Sequence, residues 1–307
     1  DVATSRPRSI TGRPGGTPDS DDKVRPERSK PAKKRVLIFS PHPDDDVISM
    51  GGTFDRLVSQ GHEVHVAYQT SGNIAVSNSD VLRYLEVINS TFPYCECEND
   101  ELIEILKSSS DIINNSRIRE IAATIREKES LAATRFIGIP DNQVHFLKLP
   151  FYETGTIKKN IPNVEDKKII SETIKKIKPH QIYAAGDLAD PHGTHKVCLD
   201  ILFDSLKDLK SKTFMKDCWV WLYRGAWHEW PIHEIDMAVP MSPIQVLRKR
   251  KAIFYHQTQK DNVMFQGDDN REFWVRTEDR NRAIAKKFRN IGMSDYTAIE
   301  TFKRYHF

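Results

Sequence analysis

From residue 35 onward, short continuous apolar runs alternate with longer stretches in which apolar residues recur three and four positions apart. Val36-Leu37-Ile38-Phe39 is the first such run, the pattern of a strand buried on both faces of a parallel sheet. Turn residues follow over 40–46. Val47, Met50, Phe54, Leu57 and Val58 then fall at helical spacing, Gly61 closes the helix, and 64–68 returns to strand. Together these make a strand–helix–strand crossover. Residues 79–136 read as mostly helical, with Ile118, Ile121, Ile125 and Leu131 on one stripe and a break at Pro93. Residues 144–149 form a strand, 163–178 an amphipathic helix stopped by Pro179, and 181–185 another strand. A polar loop over 186–193 leads into a helix bearing Val197, Leu199, Ile201, Leu202 and Leu206. Strands near 218–223 and 235–239 and helices over 243–257 and 277–289 complete the pattern, with no internal repeat. Strands alternating with helices predict an α/β fold with a mainly parallel sheet covered on both faces.

Composition sets the frame around this pattern. Residues 1–34 are rich in Pro, Gly, Ser, Arg, Lys and Asp without apolar period, as in a linker or extended arm, which leaves 35–307 as a single catalytic domain. A chain of 307 residues that is 38% hydrophobic can bury one sizeable core. It begins at Asp1, in a stretch that reads as the middle of something longer. The net charge of +3 comes from nearly balanced acids and bases, so no global field favours nucleic acid or membrane, and a small molecule is the expected partner. No run approaches the roughly 18 apolar residues of a membrane span, and no secretory signal opens the chain. The expected location is cytoplasmic. Cys95, Cys97, Cys198 and Cys218 lack the spacing of a zinc ribbon and read as reduced thiols.

Ligand sites of open parallel sheets lie beyond the carboxyl ends of the strands. Two loops there carry chemistry. Pro41-His42-Pro43-Asp44-Asp45-Asp46 leaves the first strand and enters a helix containing Gly51-Gly52-Thr53. Three adjacent carboxylates repel unless a cation or a helix amino terminus compensates them. Capping accounts for one or two aspartates and leaves a histidine between two prolines unexplained, whereas a stiff turn suits a metal ligand. The second loop runs from Asp187 to His195 and supplies His192 and His195, three residues apart, at a helix start. Two histidines and one carboxylate fill three positions of a tetrahedral zinc site and leave the fourth for water. Asp44 and one histidine then remain as proton acceptor and as oxyanion stabiliser or acid, the inventory of amide hydrolysis.

Other motifs weigh less. His228-Glu229-Trp230-Pro231-Ile232-His233 has one residue too many for the metalloprotease helix motif, and Pro231 would interrupt that helix. The aromatic residues Trp219, Trp221, Tyr223, Trp227 and Trp230 suit sugar stacking or core packing equally. His256 either reaches the site or packs. No glycine-rich phosphate loop follows the first strand.

His42-Pro43-Asp44-Asp45, Gly51-Gly52-Thr53 and His192-Gly193-Thr194-His195 resemble, in order and spacing, the PIG-L/LmbE-like metal-dependent deacetylases, over roughly residues 35–259. That resemblance implies a Rossmann-like three-layer sandwich. It implies His42, Asp45 and His195 as ligands of Zn2+ or another divalent transition ion, Asp44 as general base and His192 as oxyanion stabiliser or acid. Arg126, in an Arg-x-x-Glu helix with Glu129, would contact substrate. The expected activity is removal of the N-acetyl group from an N-acetylglucosamine-type compound. Asp46 departs from the family, which usually has Glu there. The chain is similar in particular to the carboxyl-terminal module of bacterial glucosamine-6-phosphate deaminase-like proteins, which implies a covalently attached sugar-phosphate deaminase or isomerase domain ahead of it. The alternatives are an amino-sugar-binding regulatory module and a hydrolase of another amide or ester.

Overall fold

The computed structural model describes residues 33–92, 96–108 (the side chains only from 99), 115–156, 158–189, 193–225, 227–260 and 269–307. The expected arm over 1–34 therefore falls almost wholly outside the described residues. Seven strands form one sheet in the order β3-β2-β1-β4-β5-β7-β6. In chain order the strands are β1 (Arg35–Ser40), β2 (Glu63–Tyr68), β3 (Val144–Phe146), β4 (Gln181–Ala185), β5 (Trp219–Tyr223), β6 (Met237–Met241) and β7 (Ala298–Tyr305). The pairs among β1 to β5 are parallel, and β7 pairs antiparallel with both β5 and β6.

Helices α1 (Asp45–Ser59), α2 (Asn78–Thr91), α3 (Glu96–Ser108), α4 (Ser116–Ile137), α5 (Val164–Ile177), α6 (Thr194–Leu209), α7 (Pro243–Phe254), the single turn α8 (Gln257–Lys260) and α9 (Phe273–Asn290) connect the strands. Strand β1 shows why the sheet is a central layer. Leu37 and Phe39 join a core cluster with Ile170 and Ile174 of α5 and Leu202 and Leu206 of α6. Their neighbours Val36 and Ile38 join another cluster, with Phe54 and Leu57 of α1 and Ile253 of α7. Alternate residues of an apolar run thus feed opposite layers, the three-layer sandwich expected of the pattern. A separate cluster of Val81, Leu85, Leu102, Ile118 and Ile125 ties α2, α3 and α4 together.

Two differences from the sequence reading matter. The strand read at 144–149 spans only Val144–Phe146: Lys148 turns to a φ of 49°, while the Leu147 and Leu149 amides still donate to the Tyr68 and Gln69 carbonyls at 2.9 and 3.0 Å. Strand β7 was not foreseen: its sequence, Ala-Ile-Glu-Thr-Phe-Lys-Arg-Tyr, places buried Glu300 and Thr301 where a core strand ordinarily carries apolar residues. Glu300 is buried because it serves α1. It accepts from the Gly52 amide at 2.9 Å, the Thr53 amide and hydroxyl at 2.6 Å each, and Lys249 Nζ at 2.8 Å. Helix α1 breaks its helical angles at Met50, just ahead of these glycines. A Cβ at Gly52 would lie 2.2 Å from Met241 Sδ, so glycine is what allows this close approach.

Cys198 and Cys218 are buried free thiols, as read from the sequence, while the side chains of Cys95 and Cys97 lie outside the described residues. Among the described residues, no helix is long and apolar enough to cross a membrane.

Candidate metal and catalytic site

The chain builds β1, β2 and β3 outward in one direction, then returns to place β4 on the other side of β1. Such a reversal opens a crevice beyond the carboxyl ends of the two adjacent strands. The pairing of Val36 with Gln181 and of Ile38 with Tyr183 sets the two loops of interest side by side at that crevice.

The turn after β1 is fixed by its own backbone partners. Ser40 Oγ donates to the His42 carbonyl at 2.6 Å and accepts from the Asp46 amide at 3.1 Å. The Pro41 carbonyl accepts from the Thr70 amide at 3.1 Å and its hydroxyl at 2.7 Å. Asp44 is the N-cap of α1 with φ of 134°, yet its side chain makes no capping bond. A non-glycine residue in that region costs about 1–3 kcal/mol, so capping alone does not account for it. Its carboxylate instead faces Arg126 of α4, with Nη2 3.3 Å from Oδ2, and the same nitrogen donates to the Pro43 carbonyl. Gly72, with φ of 63°, lets the loop after β2 close on this pair: a Cβ there would sit 3.1 Å from Pro43 and 3.3 Å from Arg126 Nη2.

Asp45 lies between two imidazoles. Its Oδ2 is 3.3 Å from His42 Nδ1 and 3.1 Å from His195 Nε2, and it accepts from the His42 amide at 2.9 Å. Ligand atoms of His42, Asp45 and His195 all lie within 4.8 Å of one another, the one such group among the described residues. His195, in the first turn of α6, places Nδ1 2.8 Å from the Asp187 carbonyl. A carbonyl only accepts, so Nδ1 carries a proton, and Nε2 is the ring nitrogen left to face a metal ion beside Asp45. Asp187 is itself held by the Trp227 and His228 amides at 2.7 and 2.8 Å. Two imidazole nitrogens and one carboxylate oxygen, the second imidazole oriented through its far nitrogen, fit the three protein ligands of an open zinc-type site.

The three aspartates sit in different electrostatic surroundings. Burial pushes the Asp44 carboxyl up to about 8, against the pull of Arg126. Burial also acts on Asp45, but His195 and His42 outweigh it and hold Asp45 well below the usual carboxylate range. Asp46 is fully buried and pushed up to about 7, with the Tyr68 hydroxyl donating to it at 2.9 Å. The departure from Glu at this position therefore belongs to a carboxyl anchored behind the turn, on β2.

Of the residues read from the sequence, His42, Asp44, Asp45, His195 and Arg126 come together here, and His192 lies outside the described residues. Glu129 is one turn on from Arg126 and accepts from the Thr258 amide and hydroxyl at 2.8 Å each, tying α4 to α8. His256 is fully buried, both ring nitrogens lack a hydrogen-bond partner among the described residues, and burial, then Arg126, push it down to about 3. The sequence left its place open. Asp187 was missed as a support for His195, although its position two residues beyond β4 marked it. The tryptophans are largely accounted for by packing: Arg304 lies 3.4 Å over Trp219, which stacks on Trp221, and Arg224 lies 3.7 Å over Trp230. His228 and His233 are mostly exposed and far from forming a helix motif, since only Ile232–Glu234 makes a short turn. A groove of about 530 Å³ beside Tyr84, Ile88 and Tyr255 contains none of His42, Asp44, Asp45 or His195.

Residues 37–205 match the family described as PIG-L, GlcNAc-PI de-N-acetylase. A glucosamine-6-phosphate deaminase-like protein of Bacteroides thetaiotaomicron is 50% identical over 97% of the chain, which spans 46% of that relative's length. Among solved structures, the N,N'-diacetylchitobiose deacetylase of Pyrococcus horikoshii is similar at a TM-score of 0.56 and 20% identity, over 89% of this chain and 84% of that one. A 4-carboxy-2-hydroxymuconate hydratase of Pseudomonas putida reaches the same TM-score at 14% identity, over 89% and 96%. At such identities the likeness is one of fold.

Proposed function

The chain belongs to the PIG-L family of de-N-acetylases, and from that premise we propose that it hydrolyses the acetamide of an N-acetylglucosamine-type sugar with the help of one divalent metal ion, zinc in the first instance. The observation that carries this reading is the convergence of His42, Asp45 and His195 within 4.8 Å at the sheet's reversal point, with Asp44 beside them. These three side chains would hold the ion. Bound there, it would acidify a water and polarise the amide carbonyl.

The protein's own groups do the rest. Asp45 stays ionised between its imidazoles, as a ligand must. Asp44 accepts the proton of the attacking water. A cation at Asp45 would draw the Asp44 carboxyl back toward its ionised form, because it adds the opposite charge that burial alone lacks. Arg126 orients Asp44 through Nη2 and is assigned to contact with the substrate. His192 is assigned to the oxyanion or to the departing amine. In a longer protein, this module would act beside a second, sugar-phosphate-processing domain.

Acetate release from a panel of N-acetylated amino sugars tests the reading. Asp44→Asn keeps shape and removes the base, so turnover should fall by roughly 10²–10⁴-fold with metal content intact. Full turnover in that variant would overturn the mechanism. Tight sugar binding without any acetate release by the unmodified protein would instead indicate a regulatory binding module.

A further inference from the structure

Arg119 and Arg126 lie two turns apart on one face of α4, about 10 Å along the axis, and each is 1% exposed. Arg126 commits Nη2 to Pro43 and Asp44, and its Nε and Nη1 have no hydrogen-bond partner among the described residues. Arg119 commits Nη1 to the Asn73 carbonyl at 2.9 Å, and its Nε and Nη2 are likewise unpartnered. Nε and Nη2 form the edge of a guanidinium whose two N–H bonds run parallel, the edge that grips an oxyanion in bidentate fashion. A purely structural Arg119, holding the turn at 73–75, would need Nη1 alone.

Tyr152 lies within electrostatic reach of both guanidinium groups. The Tyr152 ring stands edge-on to His42 with centroids 6.1 Å apart. Over the same ring, at 5.5 Å, lies Lys159 Nζ, which also donates to Thr194 Oγ1 at 2.6 Å, next to His195. Glu153, the nearby carboxylate, accepts from the Ser71 amide and hydroxyl at 2.7 and 2.9 Å, so its charge is directed to that loop. One cation therefore lies over this ring and two more act on it electrostatically, beside the candidate ligands, and the two arginines bury N–H groups with no partner among the described residues.

We propose that this is an anion subsite and that the sugar substrate carries a phosphate monoester, gripped by the Nε–Nη2 edge of Arg119 on the side of the sugar ring away from the acetamide. Two helical turns between Arg126, at the reacting end, and Arg119 match the span of one hexose with its exocyclic substituents. The inference rests on the de-N-acetylation reading for the word substrate, but the subsite itself can be tested without turnover.

The test has two arms on the metal-loaded protein. In the first, acetate release is compared for N-acetylglucosamine, its 6-phosphate and its 1-phosphate. At least a tenfold higher kcat/KM is expected for a phosphorylated sugar, and the better of the two isomers locates the phosphate. In the second, calorimetry with glucosamine 6-phosphate and with inorganic phosphate compares the unmodified protein with Arg119→Gln and Arg119→Lys. Both variants should bind at least tenfold more weakly. Arg119→Lys, which keeps a charge and one donor for Asn73, should keep its melting temperature, and its defect should fall on KM for the phosphorylated sugar more than on kcat. Acetate release with no preference for phosphate, together with equal binding by all three proteins, overturns the subsite and leaves the deacetylase reading standing. Arg119-dependent binding of glucosamine 6-phosphate without any acetate release supports the subsite and removes the deacetylase reading.

Discussion

Helix α1 meets two buried charged clusters, one at its first turn and one at its glycine pair, and they are built on opposite terms. Around Glu300, donors and acceptors match: Gly52, Thr53 and Lys249 all donate to one carboxylate, and Lys249 also donates to Asn281 at 2.9 Å. Around Asp45 they do not. Asp44 is strained, its carboxyl is pushed up by burial, and Arg126 and His256 bury nitrogens without partners among the described residues. A buried polar network that is complete rigidifies a fold, whereas one left incomplete is costly unless something else completes it. The difference separates scaffold from site more sharply than burial does, since Asp45 and Glu300 are almost equally inaccessible.

The contrast can be broken most directly at Asp45. Asp45→Ala should lower metal content from one ion per chain to near zero by elemental analysis, and acetate release should fall by on the order of 10³-fold or more. Retained metal would move the ligand set elsewhere. Glu300→Ala strikes the complete cluster and leaves Lys249 buried without its counter-charge, so unfolding by denaturant should show a loss of about 3–5 kcal/mol. A loss below about 1 kcal/mol would mean that Lys249 finds another acceptor and that the cluster is no latch.

The smallest effect concerns His256 and acid. Its folded pKa of about 3 lies below the ordinary value of 6.5, so the unfolded chain binds the extra proton throughout that window. Its contribution is therefore intact above pH 6.5 and is lost as pH falls toward 3, by about 2 kcal/mol at pH 5. His256→Leu should flatten the difference between denaturation midpoints at pH 7 and pH 5. An unchanged difference would show that His256 is already satisfied, as by a charged partner, in the folded protein.

The site was legible because its residues sit in two short stretches, each directly after an apolar run. Pro41 to Asp46 and Asp187 to His195 needed only the rule that parallel strands put chemistry at their carboxyl ends. The core was legible for the same reason: Val36 to Phe39 and 181–185 are apolar without interruption. What was not legible depended on distant partners. Gly51-Gly52-Thr53 was visible as a motif, but nothing local says that its amides face Glu300, and β7 was hidden by the very residue that makes it necessary. Arg119 gave no signal beyond its charge, because its meaning arises from the turn at Asn73 and from Tyr152, both far away in sequence. His256 stayed ambiguous because burial of a histidine is decided by what packs around it, not by its neighbours in the chain.

The position of β7 has a consequence for the order of events during synthesis. This strand enters the sheet between β5 and β6, and it brings Glu300 to amides that lie 248 residues earlier. A ribosome would have released the whole of β1, α1 and both loops of the candidate site well before that carboxylate emerged. Until then the Gly52 and Thr53 amides lack the carboxylate that receives them, and the sheet has a gap where its sixth position belongs. The loops of the candidate site thus wait, early made and late secured, on a strand that arrives late.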